Sequence, residues 1–239
     1  MGVIYAIRRK IRLNARELKK SFLKTFAPTV WKETNELSFW EKLRNVEGGF
    51  SNNHYEHFYT KHFSRQKSFY KDKVLLDIGC GPLGSLEWAS NAKRRMGVDP
   101  LSNEYLKLGA AEHQMEYINA PSEKIPLNNE FCDVVFSFNS LDHVENIEKT
   151  IKEIKRVVKS KGYFFLIVEI NHPPRDCEPH SLDANRLISS LKPEFICEDL
   201  RVYKPVKKGI YASIRENVLF SDPMTTREEG ILSAVFLKN

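Results

Sequence analysis

Three glycines, Gly79, Gly81 and Gly84, form a GxGxxG array directly after the apolar run Val74–Ile78, and Asp77 stands two places before the first of them. Glycine lets backbone approach a ligand where a Cβ would clash, and the free N–H groups of a following helix would face the same space. A carboxylate at Asp77 suits a ligand carrying a cationic amino group. Asp99, closing Met96-Gly-Val-Asp about 20 positions after the glycine turn, can accept both hydroxyl hydrogens of a ribose. NAD and S-adenosylmethionine both contain that ribose, so these residues indicate an adenosine cofactor without choosing between the two.

Two further groups could carry chemistry. His143, in Asn139-Ser-Leu-Asp142-His143-Val, can act as a general base, with Asp142 fixing its tautomer. The same pair could equally open the next helix. Farther on, Glu169, His172, Arg175, Asp176, Cys177, Glu178 and His180 crowd one loop, stiffened by Pro173, Pro174 and Pro179. His172, Arg175 and His180 are its candidate substrate-binding residues. His172, Cys177 and His180 match no familiar zinc spacing, so no metal is expected.

These residues need a frame that delivers them to one edge. Val74–Ile78, Arg95–Val98, Met115–Ile118, Cys132–Phe138, Tyr163–Ile170, Phe195–Tyr203 and Ile231–Leu237 read as strands. Between them lie a helical stretch around Tyr105–Ala111 and a strongly patterned helix with Ile147, Ile151, Ile154, Val157 and Val158 on one face, ended by Gly162. A later helix carries Leu182, Leu187, Ile188 and Leu191, with Ser181 as its N-cap. Such alternation predicts right-handed crossovers and a doubly wound α/β sheet, with ligands bound outside the carboxyl ends of the strands.

The ordered series DIGCGxxG, VDP, SEKIP, FCDVVFS, LDHV and a helix ending in RVVKSKG resembles the class I S-adenosylmethionine-dependent methyltransferases, in the type 11 branch that acts on small molecules and lipids. It covers Val74–Ile170. The resemblance implies a Rossmann-like, seven-stranded, mostly parallel sheet over residues 71–239, preceded by a helical extension over 1–70. It implies that Gly79, Cys80 and Gly81 cradle the methionine part of the cofactor, with Asp77 orienting its amino group directly or through water. Asp99 would hold the ribose, Pro100 would lie near the adenine, and Ser122 and Glu123 would contact it. Asn139 is the next cofactor-side residue. Many relatives carry Asp just before the Ser-Glu pair, where this chain has Pro121, which puts the adenine contact on backbone or on Glu123.

The implied activity is methyl transfer to a small-molecule, glycan or lipid-intermediate acceptor, at oxygen. Competing readings are an NAD-dependent oxidoreductase, disfavoured by the roughly 70 residues before the glycine loop and the lack of a catalytic Tyr–Lys pair, and a S-adenosylmethionine-binding scaffold without chemistry. Composition is ordinary for a folded chain, 41% apolar and 28% charged. The net charge of +6 is concentrated at the N-terminus, where Arg8, Arg9, Lys10, Arg12, Arg16, Lys19, Lys20 and Lys24 face only Glu17. Residues 3–26 read as a basic amphipathic helix that packs on protein or lies on an anionic membrane. Nucleic acid is a disfavoured partner, because the remainder of the chain carries no basic-aromatic surface. Scattered cysteines and the lack of a secretory signal or spanning segment place the expected location in the cytoplasm, with residues 1–25 the candidate contact to the inner membrane surface.

Overall fold

The computed structural model describes residues 21–47 and 51–239. The basic stretch falls mostly outside these residues. The chain divides into two compact units, 1–48 and 49–239. In the first, helix α1 (Pro28–Glu47) contains the internal bond from Trp40 Nε1 to Glu36 Oε1, 2.8 Å. Among the described residues no helix is long and apolar enough to cross a membrane.

The second unit is built on seven strands: β1 (Val74–Ile78), β2 (Arg94–Asp99), β3 (Glu116–Asn119), β4 (Cys132–Phe138), β5 (Val158–Ile170), β6 (Phe195–Tyr203) and β7 (Gly230–Lys238). They lie in the order β3-β2-β1-β4-β5-β7-β6. Parallel pairing runs from β3 to β5, while β7 is antiparallel to both β5 and β6. Every residue of β1 is buried, as is all of β4 except Asp133, because this central part of the sheet is covered on both faces. This is the doubly wound, mostly parallel seven-stranded sheet expected from the sequence.

Among the described residues, the helix with the strongest apolar face is α4 (Ile147–Val157), after α2 (Tyr55–Tyr59) and α3 (Ser102–Lys107). Asn146 caps it, accepting from the Lys149 N–H at 2.8 Å, and Ile147, Ile151, Ile154 and Val157 are buried against the sheet. Its end differs from expectation. The helix stops at Val157 and β5 begins at once with Val158; Lys161, at φ 62°, and Gly162 lie inside that strand, where its pairing with β4 shifts register between Cys132 and Val134. Helix α5 (Ala184–Leu191) begins later than predicted. Asp183, not Ser181, is its N-cap, accepting from the Arg186 N–H at 2.8 Å. Helix α6 (Ile210–Glu216) completes the set.

One expected element is absent: no helix follows the glycine loop. Residues 80–93 form successive turns closed by Glu87 N–H to Gly84 O, Ala89 N–H to Leu86 O and Ala92 N–H to Ala89 O. Gly79, Gly81 and Gly84 all have φ near +60°, a conformation foreign to a right-handed helix, and Pro82 lacks a donor. Glu87 also turns outward from its own segment. Its carboxylate accepts from the backbone N–H groups of Gln114 and Met115 and meets Arg95. A helix N-terminus is therefore not part of this loop's binding capacity.

Aromatic side chains from residues 55–70 cover the face of β1 and β4. Tyr59 sits 4.9 Å from Phe136 and 4.4 Å from Phe138 between ring centres, and Phe63 packs on Phe165 at 4.9 Å. Trp88 closes against Tyr70 at 5.0 Å. Burying this many rings contributes strongly to the unit's stability, each at about 2 kcal/mol or more.

Candidate active site

The carboxyl ends of β1, β2, β4 and β5 bring four loops to one edge of the sheet. The tightest junction joins the first and third of them. Gly79 donates its N–H to Val98 O at 2.8 Å, and the Ser140 hydroxyl donates to Ile78 O at 2.7 Å. A Cβ on Gly79 would stand 2.3 Å from Ser140 Cβ, in a backbone conformation of φ +68°. Gly79→Ala is therefore expected to lower stability by about 2–4 kcal/mol, through clash and left-handed strain together. Adding Ser140→Gly should restore part of the melting temperature, and equal melting of the single and double variants would contradict this packing account.

Asp77 is 2% exposed, inside β1. Its Oδ2 accepts from the Tyr59 hydroxyl at 2.8 Å and from the Ser85 hydroxyl. Burial pushes its pKa up to about 7, the two hydroxyl donors pull it back down, and nearby Asp99 adds to the rise. Both hydroxyls use the same oxygen, so Oδ1 is the atom with capacity for a ligand's amino group. Asp99 closes β2, 8% exposed. Its Oδ1 accepts from the Leu101 N–H at 2.9 Å and its Oδ2 from the Gly81 N–H at 3.4 Å, which ties the β2 end to the glycine loop. Its two carboxylate oxygens, at the carboxyl end of β2, are acceptors of the kind that the two hydroxyls of a ribose need. Cys80 is buried against Gly97, where a Cβ would come within 2.4 Å of its sulfur. Burial and the two aspartates hold its thiol well above the usual range, so it packs as a neutral side chain. The donor set around Gly79–Gly81, Asp77 and Asp99 thus fits an adenosine ligand with a cationic amino-acid end.

Other expected cofactor residues occupy different roles. Pro100 is exposed, and its carbonyl accepts from Asn119 Nδ2 at 2.6 Å. Ser122 lies 2.8 Å from the Thr150 hydroxyl on α4. Glu123 Oε1 accepts from the backbone N–H groups of Glu145 and Asn146 at 2.8 and 2.9 Å. Both side chains are thereby committed to the start of α4, which leaves the backbone of residues 121–123 to meet an adenine. Asn139, exposed and at φ 55°, donates its N–H to Ile167 O at 2.8 Å and turns the chain out of β4.

The turn after β4 carries Asp142 and His143, and the loop after β5 folds over it. Asp142 is 1% exposed, and burial raises its pKa above the ordinary carboxylate value. His143 Nε2 lies 3.9 Å from Asp142 Oδ1 and 3.8 Å from Glu178 Oε1. His172, also 1% exposed, points Nε2 at Asp142 Oδ2 over 3.5 Å. Residues 142 and 143 form a single 3-10 turn with Leu141, not the start of α4.

The remaining loop residues hold this arrangement in place. Arg175 is bound to Glu169 and Glu178, each at 2.7 Å, so its guanidinium braces the loop. His180 Nε2 donates to Val144 O at 2.8 Å and ties the β5 loop to the β4 loop. Asn171, at φ 59°, donates its N–H to Leu182 O at 2.7 Å and its side-chain amide to Thr226 O and Glu228 O. The proline-rich loop is therefore pinned along its length. Tyr59, Ser85, Ser140 and Glu178 are site residues that the sequence did not single out for these roles. Only Glu178 had a local signal, its place in the charged loop; the others join the site across the fold.

Residues 76–166 match the family model described as a methyltransferase domain. A sterol 4-C-methyltransferase of Caenorhabditis elegans is 27% identical over 129 residues, covering 50% of this chain and 38% of that protein. A malonyl-[acyl-carrier protein] O-methyltransferase of Marinomonas sp. is 33% identical over 97 residues, covering 38% of this chain and 36% of that protein. The chain thus spans well under half the length of these curated relatives. Among solved structures, an S-adenosylmethionine-dependent methyltransferase from Listeria monocytogenes shares the fold at TM-score 0.53 and 18% identity, over 71% of this chain and 92% of that one. A [4+2]-cyclase, SpnF, shares it at TM-score 0.61 and 16% identity, over 88% of this chain and 94% of that one. Fold alone does not select the reaction, so the matched segment and its loops carry the assignment. Residues 76–166 thus match a methyltransferase domain, and they lie in a sheet with the seven-stranded, mostly parallel fold of class I, S-adenosylmethionine-dependent methyltransferases.

Proposed function

We propose that the chain transfers a methyl group from S-adenosylmethionine to a hydroxyl of a small-molecule, glycan or lipid-intermediate acceptor, with His143 as the base. The observation that carries this reading is the Gly79–Ser140 junction, which sets the turn bearing Asp142 and His143 beside the glycine loop. Bound S-adenosylmethionine supplies an electrophilic methyl on a sulfonium, and as the acceptor oxygen's lone pair forms the new C–O bond the S–C bond breaks with its electrons going to sulfur. The chain's own contribution is alignment, water exclusion and proton transfer.

Asp77 Oδ1 takes the amino group, Asp99 takes the ribose hydroxyls and the backbone of residues 121–123 meets the adenine. His143 Nε2 faces two carboxylates, Asp142 and Glu178, so that nitrogen carries the hydrogen and Nδ1 keeps the lone pair. Nδ1 then accepts the hydroxyl proton of the acceptor. Arg175 holds the overlying loop closed through Glu169 and Glu178, and with His172 and His180 it shapes the acceptor side. The two named relatives act at carbon and at oxygen respectively; the preference for oxygen here rests on His143. A methyl-transfer screen over glycan, lipid and small-molecule pools, read by mass spectrometry as a gain of one methylene mass, tests the activity. Methylation of hydroxyl acceptors supports it, and turnover only on carbon or nitrogen acceptors would refute the base role.

The basic stretch 1–25 is the proposed membrane contact. Removing it should release the protein from anionic vesicles in a sedimentation assay while S-adenosylmethionine binding persists. Unchanged sedimentation would rule out that contact.

A further inference from the structure

Asp142, His172 and Glu178 converge on one point, with a ligand-competent atom from each lying within 4.8 Å of the others. Neither oxygen of Asp142 nor Nε2 of His172 receives or makes a hydrogen bond among the described residues, although both residues are 99% buried. An arrangement like that is costly unless something compensates it.

The tautomer of His172 sharpens the point. Its Nδ1 lies 2.9 Å from the Pro173 carbonyl, which can only accept, so Nδ1 carries the hydrogen. The neutral ring then presents the Nε2 lone pair to Asp142 Oδ2 at 3.5 Å, lone pair against carboxylate. Imidazole ligands of metals are commonly held this way, with the far N–H given to a backbone carbonyl. Glu178 is braced similarly: Arg175 binds its Oε2 at 2.7 Å, and Oε1 turns inward toward His143.

We infer that Asp142, His172 and Glu178 form a binding site for a divalent first-row transition ion, with one coordination position open beside His143. Two carboxylates balance the dication's charge, and one imidazole with two carboxylates suits zinc or manganese. Ligand atoms around a tetrahedral ion at about 2.0 Å stand roughly 3.3 Å apart, so the 3.5 Å between His172 and Asp142 needs little adjustment. Sequence spacing concealed the site, because its ligands come from two loops and skip Cys177 and His180, the residues the spacing brings forward. The chemical consequence rests on the methyl-transfer reading: an acceptor hydroxyl taking the open position is held next to the proposed base.

The test is titration of the metal-stripped full chain with Zn2+ and with Mn2+, by calorimetry and by electron paramagnetic resonance for manganese, with melting followed in parallel. One equivalent should bind and raise the melting temperature. His172→Ala and Glu178→Gln should each weaken binding by at least tenfold, while Cys177→Ser leaves it unchanged. Circular dichroism of each variant verifies folding, and the wild-type stoichiometry decides the matter even where a variant fails to fold. Absence of stoichiometric binding in the wild type would overturn the inference, as would equal affinity in folded His172→Ala and Glu178→Gln. S-adenosylmethionine binding is measured on the same samples. Its presence without metal sinks only the metal site, and metal without S-adenosylmethionine sinks only the methyl-transfer reading.

Discussion

Asp77→Asn is expected to raise the melting temperature of the ligand-free protein at pH 8 while weakening S-adenosylmethionine binding by at least tenfold. Asp77 ionises near its ordinary value in the unfolded chain but is pushed up to about 7 by burial in β1. Between those two points the folded state holds a proton that the unfolded state has released. Stability therefore falls as pH rises from about 4 to 7, and above 7 the whole cost of the buried charge is present. A displacement of about three pH units corresponds to roughly 4 kcal/mol as an order of magnitude. Asparagine removes the charge, and its carbonyl can keep both donors, because the Tyr59 and Ser85 hydroxyls share one oxygen of Asp77. Part of the gain is lost as those bonds become neutral ones. A rise of about 3 °C or more at pH 8, shrinking as pH is lowered toward 5, is the expected melting result.

The same charge is what the cationic amino-acid end of the ligand needs. Wild-type affinity should strengthen about tenfold between pH 6 and 8, as Asp77 loses its proton. The Asn variant should show little of that dependence. A lower melting temperature together with unchanged affinity would mean that Asp77 is only a structural acceptor for Tyr59 and Ser85.

His143→Ala is expected to reduce the rate of methyl transfer by about 10²–10⁴-fold, the usual span for a general base. The KM for S-adenosylmethionine should move by less than about threefold if His143 serves the acceptor, as proposed, rather than the cofactor. A rate loss below threefold in an active assay would retire His143 as the base.

The frame of the molecule could be read from the chain because its signals are local. Apolar runs such as Val74–Ile78 and Cys132–Phe138 are buried on both faces of a parallel sheet, and the period of Ile147, Ile151, Ile154 and Val157 admits only one helix face. The glycine loop and Asp99 follow from that frame, since strand ends deliver them to one edge. The missing helix after the loop had a signal in Pro82 and Gly84, outweighed by the general pattern of strand and helix alternation. Ser181 and Asp183 are both good caps for helix α5, and only the hydrogen bond to the Arg186 N–H chooses between them.

The site's supporting contacts were hidden for a different reason. Tyr59 reaches Asp77 across 18 residues, and Ser140 reaches Ile78 across 62, so neither pairing leaves a trace in spacing. Ser122 and Glu123 sit at the expected positions, yet Thr150 and the Glu145 and Asn146 N–H groups take up their polar atoms. His172 and Asp142 stand 30 positions apart and meet only because β4 and β5 are neighbours.

The loops of β1 and β2 are proposed to hold S-adenosylmethionine. Parallel calorimetric titrations of the full chain at pH 8 with S-adenosylmethionine and with NADH test it most directly. Saturable 1:1 binding of S-adenosylmethionine, lost in Asp99→Ala, with no heat from NADH, is the predicted result. NADH binding without S-adenosylmethionine binding would contradict it.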